Sequence, residues 1–350
     1  MSYADPNLPD LTGHIVDGSQ KLLRIVATSA HSVVYESEDV HESRKINKYM
    51  RKYAVKCVRY ALPGSPDAER QATELRAHEA LSSRFSIVTF HRSFIEGDLL
   101  FFLLDYQLNG HLRDDPNGEQ VPNDLPFVKG IMHQLLGVVE YMHQEGWFHR
   151  DLKLEHVLRD FTGQLKIIDF ASATQQVRCA EFGFGTPAYM PPEALDPSKG
   201  DYSPAACDKW ALAIIFFGLI TGGKRPWARA HHDDPDYAAF CKATRSRFTS
   251  GEKYLLKTFG IRRETAVFLC SCFNSNESLR PTFDDAFDFF RPKTGCLYRF
   301  LNPMPISDLP SLKDAPSTPS RERRGSDGDV QTTKPSGLAV IMWKLRRASV

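Results

Sequence analysis

The feature that most constrains this chain is a change of hydrophobic period part-way along it. Leu22–Ala27, Ser32–Glu38 and Lys52–Tyr60 are short, rich in β-branched residues and separated by turn formers, and Ile87–Gly97 and Leu99–Tyr106 repeat the pattern. One segment among them, Ala68–Ser83, has helical spacing through Ala72, Leu75 and His78 or Glu79. After Asn109-Gly110 the spacing turns mainly helical, with Phe127, Ile131, Leu135 and Val138 or Val139 on one face. A strand-rich unit followed by a helix-rich one predicts an α+β fold of two lobes with a cleft between them, a common place for a ligand. The smaller lobe is expected at residues 21–105 and the larger at 106–292.

Composition limits what surrounds these lobes. At 350 residues the chain has room for two units of ordinary size and needs no metal or disulfide staple. A formal net charge of +1 gives no electrostatic reason to expect nucleic acid or a membrane surface as partner. The polar start MSYADPNLPD lacks the basic and apolar regions of a signal peptide, and residues 1–20 read as a flexible lead-in. The longest apolar run, Trp210–Ile220, is too short to span a bilayer and reads as a buried helix, so no transmembrane segment is expected. The 7 cysteines are scattered without CxxC pairs, which predicts reduced thiols and a cytoplasmic or nuclear location. Residues 293–350 are rich in Ser, Pro and Arg, bury too little apolar area to offset ordering, and are expected to be mostly disordered. Within them Leu338–Leu345 regains hydrophobicity and reads equally as a docking helix for a partner or a lipid surface.

The chemistry is concentrated in motifs of the second lobe. His149-Arg150-Asp151-Leu152-Lys153 comes first, Asp169-Phe170 follows the apolar Leu165–Ile168, and Gly185-Thr186-Pro187-Ala188-Tyr189-Met190-Pro191-Pro192-Glu193 follows that. In this order and spacing they resemble the eukaryotic protein kinase family, serine/threonine type, over residues 22–292. The resemblance implies a bilobal kinase fold, ATP and Mg²⁺ as cofactors, a protein substrate, and transfer of the γ-phosphate to a hydroxyl. It implies that Asp151 is the catalytic base, that Lys153 reaches the transferred phosphate, and that Asp169 holds Mg²⁺. Lys56, in Tyr53-Ala54-Val55-Lys56, resembles the lysine that contacts the α- and β-phosphates. Glu74 is favoured as its partner over the rival Glu79. His149, Phe170, His78 and Phe90 match the family's regulatory stack. Val34, Ala54 and Leu158 match the residues around adenine. Leu104 matches the position that guards the back pocket in the family, just before the hinge Asp105-Tyr106-Gln107. Asp208 matches the anchor of the catalytic loop, and Arg280 matches the partner of Glu193.

The chain also departs from the family. The phosphate-covering loop reads Ala27-Thr28-Ser29-Ala30-His31-Ser32-Val33-Val34, with no glycine. A stiffer loop and weaker ATP binding are expected, with a hydroxyl of Thr28 or Ser29 available to phosphate. His156 stands where the catalytic loop has Asn. Imidazole is a poor Mg²⁺ ligand, so His156 as a second metal ligand points to Mn²⁺, while His156 turned away leaves the place to water. Ala171 replaces the glycine after Asp169-Phe170. No hydroxyl between Asp169 and Glu193 sits where an activating phosphate is usual, and Glu181 is a candidate permanent charge for Arg150. Two readings follow: an active serine/threonine kinase, or a pseudokinase acting as a binding scaffold or allosteric regulator. In the tail, Arg-Arg-x-Ser places Ser326 and Ser349 as candidate phosphosites for an upstream basophilic kinase or for the chain itself.

Overall fold

The structure is a computed structural model that describes residues 8–41, 51–107, 110–112, 125–160, 162–245 and 250–291. Ser326, Ser349 and the rest of 292–350 lie outside the described residues. The first lobe is a six-stranded antiparallel sheet in the order β1-β2-β3-β4-β6-β5. Its strands are β1 (Ile15–Val16), β2 (Gln20–Thr28), β3 (Ser32–Asp39), β4 (Lys52–Arg59), β5 (Phe90–Glu96) and β6 (Leu99–Asp105). Successive strand residues face opposite sides. On β6, Phe101 and Leu103 therefore join a core with Leu22, Tyr35 and Val55, while Leu100, Phe102 and Leu104 pack on the other side with Val58 and Val88. Burial on both faces explains why β6 is an unbroken apolar run.

Residues 8–20 are not the loose lead-in expected from their polarity. Val16 is buried, Ile15 and Val16 pair with Lys21 and Gln20, and Leu8 and Leu11 pack against the core. The Tyr35 hydroxyl donates to the Pro9 carbonyl and accepts from the Leu11 amide, at 3.1 Å each. A buried tyrosine needs partners for its hydroxyl, and this segment supplies them.

Helix α1 (Pro66–Leu81) starts at an N-cap, where Ser65 Oγ accepts from the Ala68 amide, with Pro66 in the first turn. Its buried face is Glu74, Ala77, His78 and Leu81; Ala72 and Leu75 are only half-buried and Glu79 is exposed. The second lobe is built on α2 (Leu125–Gln144) and α4 (Pro204–Ile220), with α3 (Pro192–Leu195) between them in the chain. The apolar run Trp210–Ile220 lies in α4, which is almost wholly buried, its Asp208 included, as a central helix must be. Helices α5 (Pro235–Arg245), α6 (Gly251–Phe259), α7 (Arg263–Cys272) and α8 (Phe283–Phe290) complete the lobe. Trp210, Trp227 and Phe273 form one aromatic group, and Phe216, Phe268, Phe289 and Phe290 another. A short hairpin, β7 (Val157–Arg159) and β8 (Leu165–Ile167), separates the two loops that carry the site. Among the described residues, no helix is long and apolar enough to cross a membrane.

Candidate active site

The catalytic loop, residues 149–156, is suspended from a buried carboxylate. Asp208 on α4 is fully buried and accepts from the amides of His149 (2.9 Å) and Arg150 (2.8 Å) and pairs with His143 Nε2 (2.8 Å). Two backbone amides and an imidazole offset the cost of burying this charge. They hold Arg150 at φ 62°, a conformation that non-glycine residues take only when their surroundings impose it. Asp169 sits at φ 67° in the facing loop.

At the loop's tip Asp151, Lys153 and Thr186 form a closed set. Lys153 Nζ donates to Asp151 Oδ2 (3.1 Å) and to Thr186 Oγ1 (3.0 Å), and Thr186 Oγ1 donates to Asp151 Oδ1 (2.7 Å). In the sequence Thr186 stands out only by its place in the Gly185–Glu193 motif, directly after Gly185. Gly185 has φ +100°, and a Cβ there would meet the Arg150 carbonyl at 2.5 Å, so only glycine lets this segment lie against the catalytic loop.

A second cluster lies at the mouth of the first lobe. Lys56 Nζ on β4 lies 2.5 Å from Glu74 Oε1 on α1 and 3.0 Å from Asp169 Oδ1. Burial alone would lower the Lys56 pKa, but Asp169 and Glu74 outweigh it and hold the ammonium charged beyond its ordinary range. Burial opposes ionisation of Asp169 as well, yet Lys56 and His156 keep its carboxyl well below the usual range. Burial pushes Glu74 up against the attraction of Lys56.

Beneath these groups the rings of His78 and Phe90 (5.5 Å), His78 and Phe170 (5.0 Å), and His149 and Phe170 (5.3 Å) form an unbroken stack from the first lobe to the catalytic loop. Ala54 and Leu158 pack with Leu104 in one cluster, and Ala54 faces Leu104 across the β4–β6 ladder. Val34 faces Ala27 and Lys56 on neighbouring strands. In the hinge, the Asp105 carboxylate is turned to Arg51 (2.7 Å) and His91 (2.8 Å), which bring its pKa down to about 2 against the effect of burial. The Gln107 carbonyl accepts from the Gly110 amide. Arg280 grips Glu193 with both terminal nitrogens (2.6 and 2.9 Å) and lies over Trp210.

Two features depart from expectation, and a third decides between two alternatives. The Ser29 hydroxyl does not stand free for phosphate: it accepts from the amides of His31 (3.3 Å) and Ser32 (3.1 Å) and pairs with Ser32 Oγ (2.8 Å), closing the tip between β2 and β3. Arg150 does not pair with Glu181. Its guanidinium donates to the Ser172 carbonyl (2.6 Å) and lies over the Phe184 ring (4.1 Å to the centroid). His156 does not turn away: Nδ1 donates to the Asp151 carbonyl (2.9 Å) and Nε2 lies 3.2 Å from Asp169 Oδ2.

Comparison with known proteins follows the same line. The sequence matches the protein kinase domain family over residues 39–289. It is 27% identical over 310 residues to the fission yeast (Schizosaccharomyces pombe) negative regulator of sexual conjugation and meiosis, covering 81% of this chain and 62% of that protein. It is 31% identical over 204 residues to the fission yeast serine/threonine-protein kinase ksp1, covering 54% of this chain and 41% of that one. It is 34% identical over 185 residues to the rice (Oryza sativa subsp. japonica) CBL-interacting protein kinase 9, covering 49% of this chain and 38% of that protein. The chain thus spans less than two thirds of the length of these relatives. With two lobes, a catalytic loop hung from Asp208 and serine/threonine kinases among its relatives, the chain belongs to the protein kinase domain family.

Proposed function

We propose that this chain transfers the γ-phosphate of ATP to serine or threonine hydroxyls of a protein. The observation that carries the reading is the joint presence of the Lys56–Glu74 pair and the Asp151–Lys153–Thr186 set, the first positioning nucleotide and the second positioning acceptor. Phosphoryl transfer asks the protein mainly to position groups and stabilise charge. In this reading Asp151 Oδ accepts the hydrogen of the attacking hydroxyl. Lys153, tied to Asp151 and Thr186, brings positive charge toward the phosphoryl group. Lys56, kept charged by its two carboxylates, meets the α- and β-phosphates. Val34, Ala54, Leu104 and Leu158 form the apolar bed for adenine, with the backbone of Asp105 and Gln107 at its edge.

The donor set fits one hard cation. Asp169 offers carboxylate oxygens, which suit Mg²⁺, and the cation would neutralise charge on the phosphates. Among the described residues no three His, Cys, Asp or Glu side chains form a metal cage, so the other ligands would be phosphate and water. His156 offers nitrogen, which suits Mn²⁺ better. With Nδ1 donating to the Asp151 carbonyl, Nε2 is the ring nitrogen left facing Asp169. The closed Ser29 turn uses amides that a glycine loop offers to phosphate. Losing one or two charge-assisted bonds at about 1.5–3 kcal/mol each weakens ATP binding from roughly 10-fold to roughly 10⁴-fold. We therefore read the chain as a kinase with weakened nucleotide and second-metal binding rather than as a scaffold.

For the tail, we propose that Ser326 and Ser349 are phosphorylated by a basophilic kinase or by the chain itself; mass spectrometry after incubation with Mg²⁺-ATP, alone and with such a kinase, decides. The nucleotide reading is tested by thermal unfolding with ATP, with and without Mg²⁺ or Mn²⁺. Saturating ATP at about 100 times its Kd should add about 2.7 kcal/mol. Asp169→Asn should lose the metal-dependent part of that gain. A melting temperature indifferent to ATP and metal would leave the scaffold reading in its place.

A further inference from the structure

Phe184 joins two parts of the molecule that a kinase must hold together. Arg150, in the catalytic loop, lies over its ring at 4.1 Å, and Arg70, on α1, lies over the same ring at 5.0 Å. Arg70 is on the helix that carries Glu74, the partner of Lys56. Arg150 is buried, and its guanidinium has no carboxylate partner among the described residues; it meets the carbonyls of Ser172 and Ala173, the Cys179 thiol and the Tyr202 hydroxyl. The negative face of the Phe184 ring is therefore what its guanidinium meets in place of an anion. Gly185 fixes the ring's position, because its closeness to the Arg150 carbonyl leaves no room for any other residue. The hydroxyls between Asp169 and Glu193 do not compete for the role: Thr174 and Tyr189 are buried, Thr186 is bonded to Asp151, and Ser172 meets Arg150 through its carbonyl.

We propose that Phe184 is a positioning residue: it clasps Arg150 and Arg70, and so keeps α1 docked with Glu74 on Lys56 without any phosphate on the activation segment, residues 169–193. The proposal rests on the kinase reading above for its purpose, but its test does not need transfer to occur. The clasp is an interaction of cations with a ring quadrupole, so its chemistry separates from its bulk. Leu at 184 keeps apolar volume and loses the quadrupole, while Trp keeps a stronger one.

The experiment is hydrogen exchange of residues 66–81 in the full chain, shown by intact mass to be unphosphorylated, for wild type, Phe184→Leu, Phe184→Trp and Arg70→Gln. Phe184→Leu should speed exchange of α1 by roughly tenfold and Arg70→Gln by roughly threefold, while Phe184→Trp stays near wild type. Exchange in Phe184→Leu equal to wild type, or Phe184→Trp as fast as Phe184→Leu, would overturn the proposal. Should Phe184→Leu lose its cooperative melt, Arg70→Gln decides, since Arg70 is 44% exposed and its loss leaves the core intact; unchanged exchange there overturns the clasp. In a parallel transfer assay, Phe184→Leu should lower activity and Phe184→Trp restore it. Absence of transfer in every protein, wild type included, would refute the kinase reading and leave the exchange result to judge the clasp.

Discussion

Lys56 Nζ and Glu74 Oε1 lie 2.5 Å apart, the carboxylate buried and the lysine side chain 13% exposed, an ion pair that links a strand of the first lobe to its helix. Burial makes this pair costly to break from one side. Lys56→Met should abolish transfer and also destabilise the fold by about 3 kcal/mol, because Glu74 is left buried without its partner. Lys56→Met with Glu74→Leu should recover much of that stability and none of the activity. Urea unfolding beside a transfer assay measures both. Equal stability of wild type and Lys56→Met would show that the pair carries no structural weight.

Thr186 donates to Asp151 and accepts from Lys153, so it fixes the relative position of the two groups proposed to act on the acceptor. Thr186→Ala should lower kcat about 10- to 100-fold, in line with loss of a positioning hydrogen bond, with little change in KM for ATP. Thr186→Ser should retain most of the activity. A KM effect without a kcat effect would move Thr186 out of this role.

His156 points its Nε2 at Asp169, so its nitrogen should be felt in the choice of metal. His156→Asn should raise Mg²⁺-supported turnover and lower the ratio of Mn²⁺- to Mg²⁺-supported activity. Identical ratios in the two proteins would mean that the imidazole takes no part in binding the cation.

Much of this fold was legible in the sequence, because strands β2 to β6 and helix α4 follow from period, β-branching and apolar content. The helix α1 was legible as a helix but not in its orientation. Its buried face contains Glu74, which a hydrophobic pattern assigns to solvent, and His78, which the pattern leaves as an alternative to Glu79; their burial depends on Lys56 and on the rings of Phe90 and Phe170. The N-terminal segment was misread because three scattered apolar residues, Leu8, Leu11 and Val16, do the packing. The residues of the candidate site stand out in the sequence through their motifs. What was not legible was through-space: the Ser29 turn that closes the loop tip, and the ring of Phe184 standing where Glu181 was expected.

His78 gives the fold a defined acid sensitivity. Burial pushes its pKa down to about 3, and burial lowers that of His149 too. In the unfolded chain His78 titrates near its ordinary 6.5. Below that pH the unfolded chain binds a proton that the folded chain refuses. The stability present above 6.5 is therefore lost progressively as pH falls toward about 3, by about 1.4 kcal/mol per pH unit for each such proton. His78→Leu should flatten the slope of unfolding free energy against pH by about one proton between pH 6 and pH 4. Parallel slopes for the two proteins would contradict the assignment.

Phosphate transfer by the assembled groups is measured by incorporation of label from γ-labelled ATP into a generic protein substrate, with Mg²⁺ and with Mn²⁺, by wild type and by Asp151→Asn at matched folding and matched ATP occupancy. Wild type should place label on serine or threonine, and Asp151→Asn should lose at least about 100-fold, since general-base positioning supplies that order of rate. Label absent from wild type at saturating ATP, or equal from both proteins, would contradict transfer by these groups.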